Sequence, residues 1–122
     1  MSYPPQGSGG GGITFKDEGD GVLLSSAAEQ VVFDITKTTP FIGKLYLDTT
    51  NLALGDVIVV TEYIQKTVVD PLRVFTSTQI SGVQLTPMIT TLEKIVPYRH
   101  RITLQQTLGI FRNFPFQYLS EG

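Results

Sequence analysis

Short runs in which apolar and polar residues alternate follow one another along the chain from Ile13 onward. In residues 30–36, Val31, Phe33 and Ile35 fall on one face and more polar side chains on the other. Successive side chains of a β-strand point to opposite faces of a sheet, so alternation with a period of two predicts a half-buried strand. Apolar residues repeated at helical spacing are absent. The pattern therefore predicts a succession of strands.

Turn-forming residues divide the rest of the sequence into further predicted strands. The longest is residues 57–66, whose two faces are both largely apolar, as expected for a strand that is covered on both sides. Asp70-Pro71 predicts a turn, because proline presets the backbone dihedral that a turn requires. This turn would join residues 57–66 and 72–80 into a hairpin. Other strands are predicted at residues 41–48, 83–86, 98–105 and 114–118.

These strands predict an all-β fold, an antiparallel β-sandwich of jelly-roll-like or immunoglobulin-like type with about seven or eight strands. The 122 residues fit a single domain over residues 13–122. The apolar residues are mainly Val, Ile, Leu, Phe and Tyr, which favour strands over helices.

Residues 1–12 differ in composition from the rest, because glycine, serine and proline dominate them. Such a segment is expected to form a disordered, flexible arm, with a reach of roughly 40 Å when extended. The arm would allow Tyr3, Pro4 and Pro5 to contact a neighbouring subunit. An untethered tail is the alternative, since chain ends are commonly disordered.

Composition and charge exclude several classes of partner and cofactor. The chain has no cysteine, so disulfides and thiolate metal sites are ruled out. Its net charge is −2 and its nine basic residues are scattered, which argues against nucleic acid as a partner. No run approaches the roughly 18 apolar residues of a membrane span, and no secretory leader is recognisable. We expect a soluble protein made in the cytosol, with no membrane partner.

Catalytic and metal-binding residues are not predicted. The acidic segment 17–21 lacks the spaced ligands of a Ca²⁺ loop and is interpreted as a solvated turn before the first strand. His100 is the only histidine, and no serine stands in a nucleophile context. We expect His100 to be a rim residue with one hydrogen-bond partner. The sequence therefore predicts a protein that is not an enzyme and holds no metal or cofactor.

Two groups of residues are candidates for partner contact. Arg99 and Arg101 project from the same predicted strand face and could meet carboxylates of a partner, or simply solvate an exposed sheet face. Phe114, Phe116 and Tyr118 line one side of the last predicted strand. They are either core packing or an aromatic patch that a partner covers.

Residues 45–63 carry a resemblance to a known group of proteins, together with residues 81–84, 103–109 and 112–116. This pattern of strand spacing and turn residues, spread over residues 41–119, resembles small phage virion proteins of the capsid decoration, or cement, type. The resemblance implies a compact β-sandwich without catalytic residues. It also implies binding to the major capsid protein or other virion subunits on the outside of the shell, often as a homo-oligomer such as a trimer.

Other functions remain open at this point. A tail or head-to-tail adaptor subunit is the structural alternative, because tail components also use small β-domains with arms. A carbohydrate or cell-surface binding module of sandwich fold is the other alternative. Such modules usually expose tryptophan or tyrosine in a groove, and this chain has no tryptophan.

Overall fold

The computed structural model describes residues 14–122, which form nine β-strands and contain no helix. The predicted arm, with Tyr3, Pro4 and Pro5, lies outside the described residues. The strands are β1 (Lys16–Leu24), β2 (Gln30–Thr36), β3 (Phe41–Asp48), β4 (Val57–Gln65), β5 (Arg73–Ser81), β6 (Met88–Thr90), β7 (Lys94–Val96), β8 (Arg99–Leu108) and β9 (Asn113–Glu121).

The strands form two antiparallel sheets, which confirms the predicted all-β fold class. The first sheet has the order β1-β9-β3-β6, and β7 also pairs with β3. The second sheet has the order β2-β8-β4-β5. There are nine strands because two three-residue strands, β6 and β7, both pair with β3. The predicted strand at residues 83–86 was wrong, since β6 begins only after Pro87.

Both sheets contribute alternate side chains to one apolar core. On β3, Phe41, Leu45 and Leu47 are buried. The residues directly before and after Leu45 are more exposed, as the alternation predicts. Phe33 of the second sheet stacks on Tyr118 of the first, with ring centroids 4.9 Å apart. The buried apolar residues are Val32, Phe41, Leu45, Leu47, Leu52, Ile58, Val60, Val96, Ile102, Leu104, Phe114 and Tyr118.

The predicted hairpin around Asp70-Pro71 is present as β4 and β5, which pair from Val57 to Ile64 with one register shift between Glu62 and Tyr63. At the turn, Asp70 donates its backbone N–H to Thr67 O at 3.2 Å, and the Thr67 hydroxyl donates to Asp70 Oδ2 at 2.7 Å. β4 lies inside its sheet, between β8 and β5. Its inward face includes one acidic residue, Glu62, whose surroundings are described below.

We predict that Gly43→Ala destabilises the sandwich. A Cβ at residue 43 would lie 1.9 Å from the Tyr118 hydroxyl oxygen, and Tyr118 is fully buried. Since a fully buried tyrosine can move only by displacing its neighbours, we expect a loss of about 1–3 kcal/mol in the free energy of unfolding. Denaturant unfolding measures it. Gly21→Ala is the matched control, because its Cβ would meet only the Phe116 ring, at 3.2 Å. Equal losses in the two variants would contradict the predicted clash.

Candidate functional site

A chain of buried polar side chains crosses the core between the two sheets. It begins with Glu62 on β4, continues through His100 on β8, and ends at Tyr118 on β9. His100 Nε2 lies 2.9 Å from Glu62 Oε1, and His100 Nδ1 lies 2.7 Å from the Tyr118 hydroxyl oxygen. His100 and Tyr118 have no exposed surface. Polar groups in such a place must hydrogen-bond one another, because water does not reach them.

Glu62 is a buried carboxylate, and three hydrogen bonds stabilise its charge. Its Oε1 accepts from Lys94 Nζ at 2.7 Å and from His100, and its Oε2 accepts from the Thr76 hydroxyl at 2.8 Å. Burial alone raises the pKa of Glu62, but the hydrogen bonds from His100, Lys94 and Thr76 and the charge of Lys94 outweigh it and lower the pKa to about 2. Glu62 is therefore ionised at neutral pH.

The hydrogen bonds around His100 fix its tautomer. Burial and the charge of Glu62 raise the pKa of Tyr118, so this hydroxyl keeps its proton and can donate. In its neutral form the imidazole accepts from Tyr118 at Nδ1 and donates from Nε2 to the Glu62 carboxylate. The expectation that His100 is a rim residue with one partner was wrong, because alternation along β8 places it on the buried face with Ile102.

Three members of this network were not predicted from the sequence: Glu62, Lys94 and Thr76. A signal for Glu62 existed, since it shares a face of its strand with Ile58 and Val60, both of which are buried. An acidic residue at an inward position requires a buried cation or donor as partner. Nothing in the sequence identifies that partner, because Lys94 is 32 residues away on a short strand of the other sheet.

A cavity of about 210 Å³ opens beside Glu62 on one side of the sandwich. It lies where the two edge strands β5 and β6 face each other without pairing. Its wall is apolar over much of its area and carries several threonines near the opening. The lining residues are Leu45, Leu47, Val60, Glu62, Thr76, Thr78, Ile80, Ile89, Thr90 and Thr91.

Arg99 and Arg101 lie on the outer face of the second sheet, as predicted, and both pair with Asp34 of β2. Arg99 donates to both carboxylate oxygens, at 2.9 and 2.7 Å, and Arg101 Nε donates to Oδ2 at 2.8 Å. The Arg99 hydrogen bonds lower the pKa of Asp34 despite partial burial. Both guanidinium groups are therefore engaged within their own sheet, and each remains partly exposed.

The predicted aromatic patch of β9 is divided between the core and the surface. Phe114 and Tyr118 are fully buried, so they pack in the core and offer no surface to a partner. Phe116 is half-buried, and it lines a shallow depression with Tyr46 and Met88. Of the three aromatic candidates, only Phe116 can be reached from outside.

The acidic segment after Lys16 lies within β1 and is not a turn before the first strand, which corrects the sequence interpretation. The strand contains a register shift between Asp17 and Gly19. Glu18 pairs with Lys37 Nζ at 2.8 Å, a contact that helps to lower the pKa of Glu18 against the opposing effect of burial. The segment is therefore part of the ion pairing at a sheet edge.

A second buried carboxylate, Asp56, connects the turn before β4 to the turn before β9. Its oxygens accept from the backbone N–H groups of Ala53 and Ile110, at 2.9 and 3.0 Å, and from Arg112 Nε at 2.9 Å. Gly109 passes so close that a Cβ would lie 2.1 Å from Asp56 Oδ1, and its φ is 91°. Only glycine fits both conditions, so this carboxylate holds two loops together.

Comparisons with protein-family models, with curated proteins and with solved structures each give no match. Across residues 14–122 there is no group of three or more His, Cys, Asp or Glu side chains placed to hold a metal ion. The same part of the chain has no helix of the length and hydropathy needed to cross a membrane.

We predict that the Glu62 network contributes stability that depends on pH. The pKa of Glu62 in the folded protein is about 2, below the ordinary value of 4.5. The contribution is therefore complete above pH 4.5 and is lost as the pH falls through 4.5 towards 2. The shift corresponds to a contribution on the order of 3 kcal/mol. In Glu62→Gln, the free-energy difference from the wild type should shrink over this pH range in denaturant titrations.

Glu93→Gln is the control for this titration, because Glu93 is exposed and lies close in sequence to Lys94. Its unfolding free energy should follow the wild-type pH profile. A difference between Glu62→Gln and the wild type that stays constant from pH 4.5 to 2 would contradict the assignment.

Proposed function

We propose that this chain is a non-enzymatic structural subunit of a phage virion, a decoration protein that binds the outer capsid shell and associates with further copies of itself. The observation that carries this proposal is the β5 edge, defined as residues Arg73–Ser81. It is a long edge strand that has no neighbour on its outer side within the described chain. Such an edge offers unpaired backbone donors and acceptors to another chain.

The side chains of the β5 edge favour association. Eight of its nine residues are exposed, and Arg73 is the only charged one. Val74 is 61% exposed and Phe75 is 53% exposed. Lys94 Nζ lies 5.4 Å from the centre of the Phe75 ring. It also donates to the backbone carbonyl of Leu92, and the side chain of Leu92 is exposed as well. Exposed apolar residues gathered at an unpaired edge are typical of a surface that another protein covers.

The interior supports a structural role over a catalytic one. Both nitrogens of His100 are already bound to protein groups, so the imidazole cannot take a substrate proton without breaking the network. Glu62 is held ionised by three donors. These groups act as a rigid connection between sheets, which is what a small scaffold that must keep its shape on a particle requires.

Residues 1–12 could add a second contact to the docked domain. Tyr3, Pro4 and Pro5 are tethered to it, so they would meet a neighbouring subunit at high effective concentration even if each contact is weak. Their contribution would add to that of the β5 edge. A tail or head-to-tail adaptor could use the same features, and the position of the protein on the particle distinguishes the two roles.

We predict that imaging of native particles of the encoding virus finds many copies of this protein at symmetric positions over the outer shell. An antibody against the folded domain, or averaging of particle images, gives the position, and mass spectrometry of purified particles gives the copy number. A few copies restricted to the tail or to the head-to-tail junction would reject the decoration role in favour of the adaptor.

We predict that Val74→Lys weakens self-association without unfolding the protein. The lysine adds a charge to the β5 edge, and copies that pair along it would have to bring these charges together. Because Val74 is exposed, we expect the free energy of unfolding to change by no more than about 0.5 kcal/mol. Sedimentation analysis over a range of concentrations gives the association constant.

Val31→Lys is the matched control. Val31 is 49% exposed and lies on β2, the opposite edge strand of the same sheet. This variant should associate like the wild type. If both lysine variants associate as the wild type does, the β5 edge is not the surface through which copies meet.

A further inference from the structure

The cavity between β5 and β6 has a volume large enough to hold one aromatic ring. Its volume is about 210 Å³, and it is open to solvent on the side where the two edge strands do not pair. An apolar cavity of about 150 Å³ is enough to bind benzene. Leu45, Leu47 and Ile89 form an apolar wall on one sheet, and Val60 and Ile80 form the facing wall on the other. A rigid ring also loses little conformational entropy on binding.

The Glu62 carboxylate, which lines this cavity, has one acceptor position that receives no donor from the described residues. A carboxylate has about four acceptor positions on its two oxygens. Among the described residues, Oε1 receives Lys94 and His100, and Oε2 receives only Thr76. Glu62 is 7% exposed and lines the cavity, so a molecule bound in the cavity can approach the remaining position. A bound molecule that carries a hydrogen-bond donor would satisfy it.

The charges around the cavity favour a neutral molecule. Glu62 is negative, but the Lys94 ammonium 2.7 Å away balances it. An anion would be repelled by the carboxylate, and a cation would be repelled by Lys94 and would lose its own hydration. The threonines at the opening, including Thr78 and Thr90, add neutral hydroxyl groups. A hydroxyl on an uncharged ring matches this combination.

We propose that this cavity is a binding site for a neutral phenol, with the ring between the apolar walls and the hydroxyl donating to Glu62 Oε2. The phenol can come from a free small molecule or from a tyrosine side chain. Within this chain the obvious source is Tyr3, because residues 3–13 extended span roughly 35 Å, enough to cross a sheet of four strands spaced about 4.8 Å apart. The site does not depend on the proposed virion role.

The test uses p-cresol, which mimics a tyrosine side chain, added to the full-length protein labelled with ¹⁵N and followed by NMR. We expect saturable shifts confined to the amides around the cavity, with a Kd of about 1 mM or tighter. Toluene has the same shape without the hydroxyl, and we expect it to bind at least tenfold more weakly. No saturable shifts at the cavity would overturn the site, and equal affinity for toluene would overturn the hydrogen bond to Glu62.

A pair of variants on β5 tests the location. Thr78 lines the cavity opening, whereas Gln79 follows it directly and points to the other face of the strand. Thr78→Trp should fill the opening and abolish p-cresol binding, and Gln79→Trp should retain it. Both positions are exposed, so neither substitution disturbs the core. Binding that survives Thr78→Trp would show that p-cresol binds elsewhere, which overturns the proposal.

The full-length variant Tyr3→Ala identifies the source of the phenol. If Tyr3 occupies the cavity, it competes with p-cresol, and its removal should tighten p-cresol binding severalfold. If p-cresol binds Tyr3→Ala and the wild type equally, Tyr3 does not occupy the cavity, and the phenol must come from outside this chain segment. Either result supports the site, whereas loss of p-cresol binding in Tyr3→Ala would overturn it, because a competitor cannot be required for binding.

Discussion

The rest of the sandwich is arranged around one constraint, the negative charge of Glu62 in the core. A buried carboxylate is tolerated only when donors surround it. Lys94 must therefore extend into the core from β7, which pairs with the start of β3. His100 must face inward from β8. His100 in turn needs the Tyr118 hydroxyl, and Tyr118 needs a residue without a Cβ at Gly43. One charge thus specifies residues on both sheets.

The two sides of the sandwich next to Glu62 differ in how completely side chains fill them. Lys94, His100 and Tyr118 fill the space on one side of Glu62, whereas on the other side β5 and β6 stay apart and leave the cavity. Closing that side would require the two edge strands to approach each other. The open cavity and the exposed β5 edge are therefore neighbouring features, and both are accessible from outside the sandwich.

The alternation of apolar and polar residues and the turn-forming residues predicted the strands and the hairpin that depend on neighbouring residues in the sequence. Alternation located β3, β4 and β8, and Asp70-Pro71 located the hairpin of β4 and β5. It did not locate β6 and β7, because three-residue strands are too short to show a period and depend on pairing with β3. The role of His100 was missed for a related reason: its partners, Glu62 and Tyr118, are 38 and 18 residues away in sequence.

The two edges of the second sheet differ in a way that bears on assembly. On β2, Asp34 holds Arg99 and Arg101 across the outer face, and the strand has a register shift between Val31 and Phe33. Charged side chains and irregular pairing both help to keep an edge strand from pairing with another chain, and β5 too has a register shift, between Val74 and Thr76. β5 has exposed apolar residues and a single arginine. The two opposite edges of this sheet therefore differ in their charge, although both strands have a register shift.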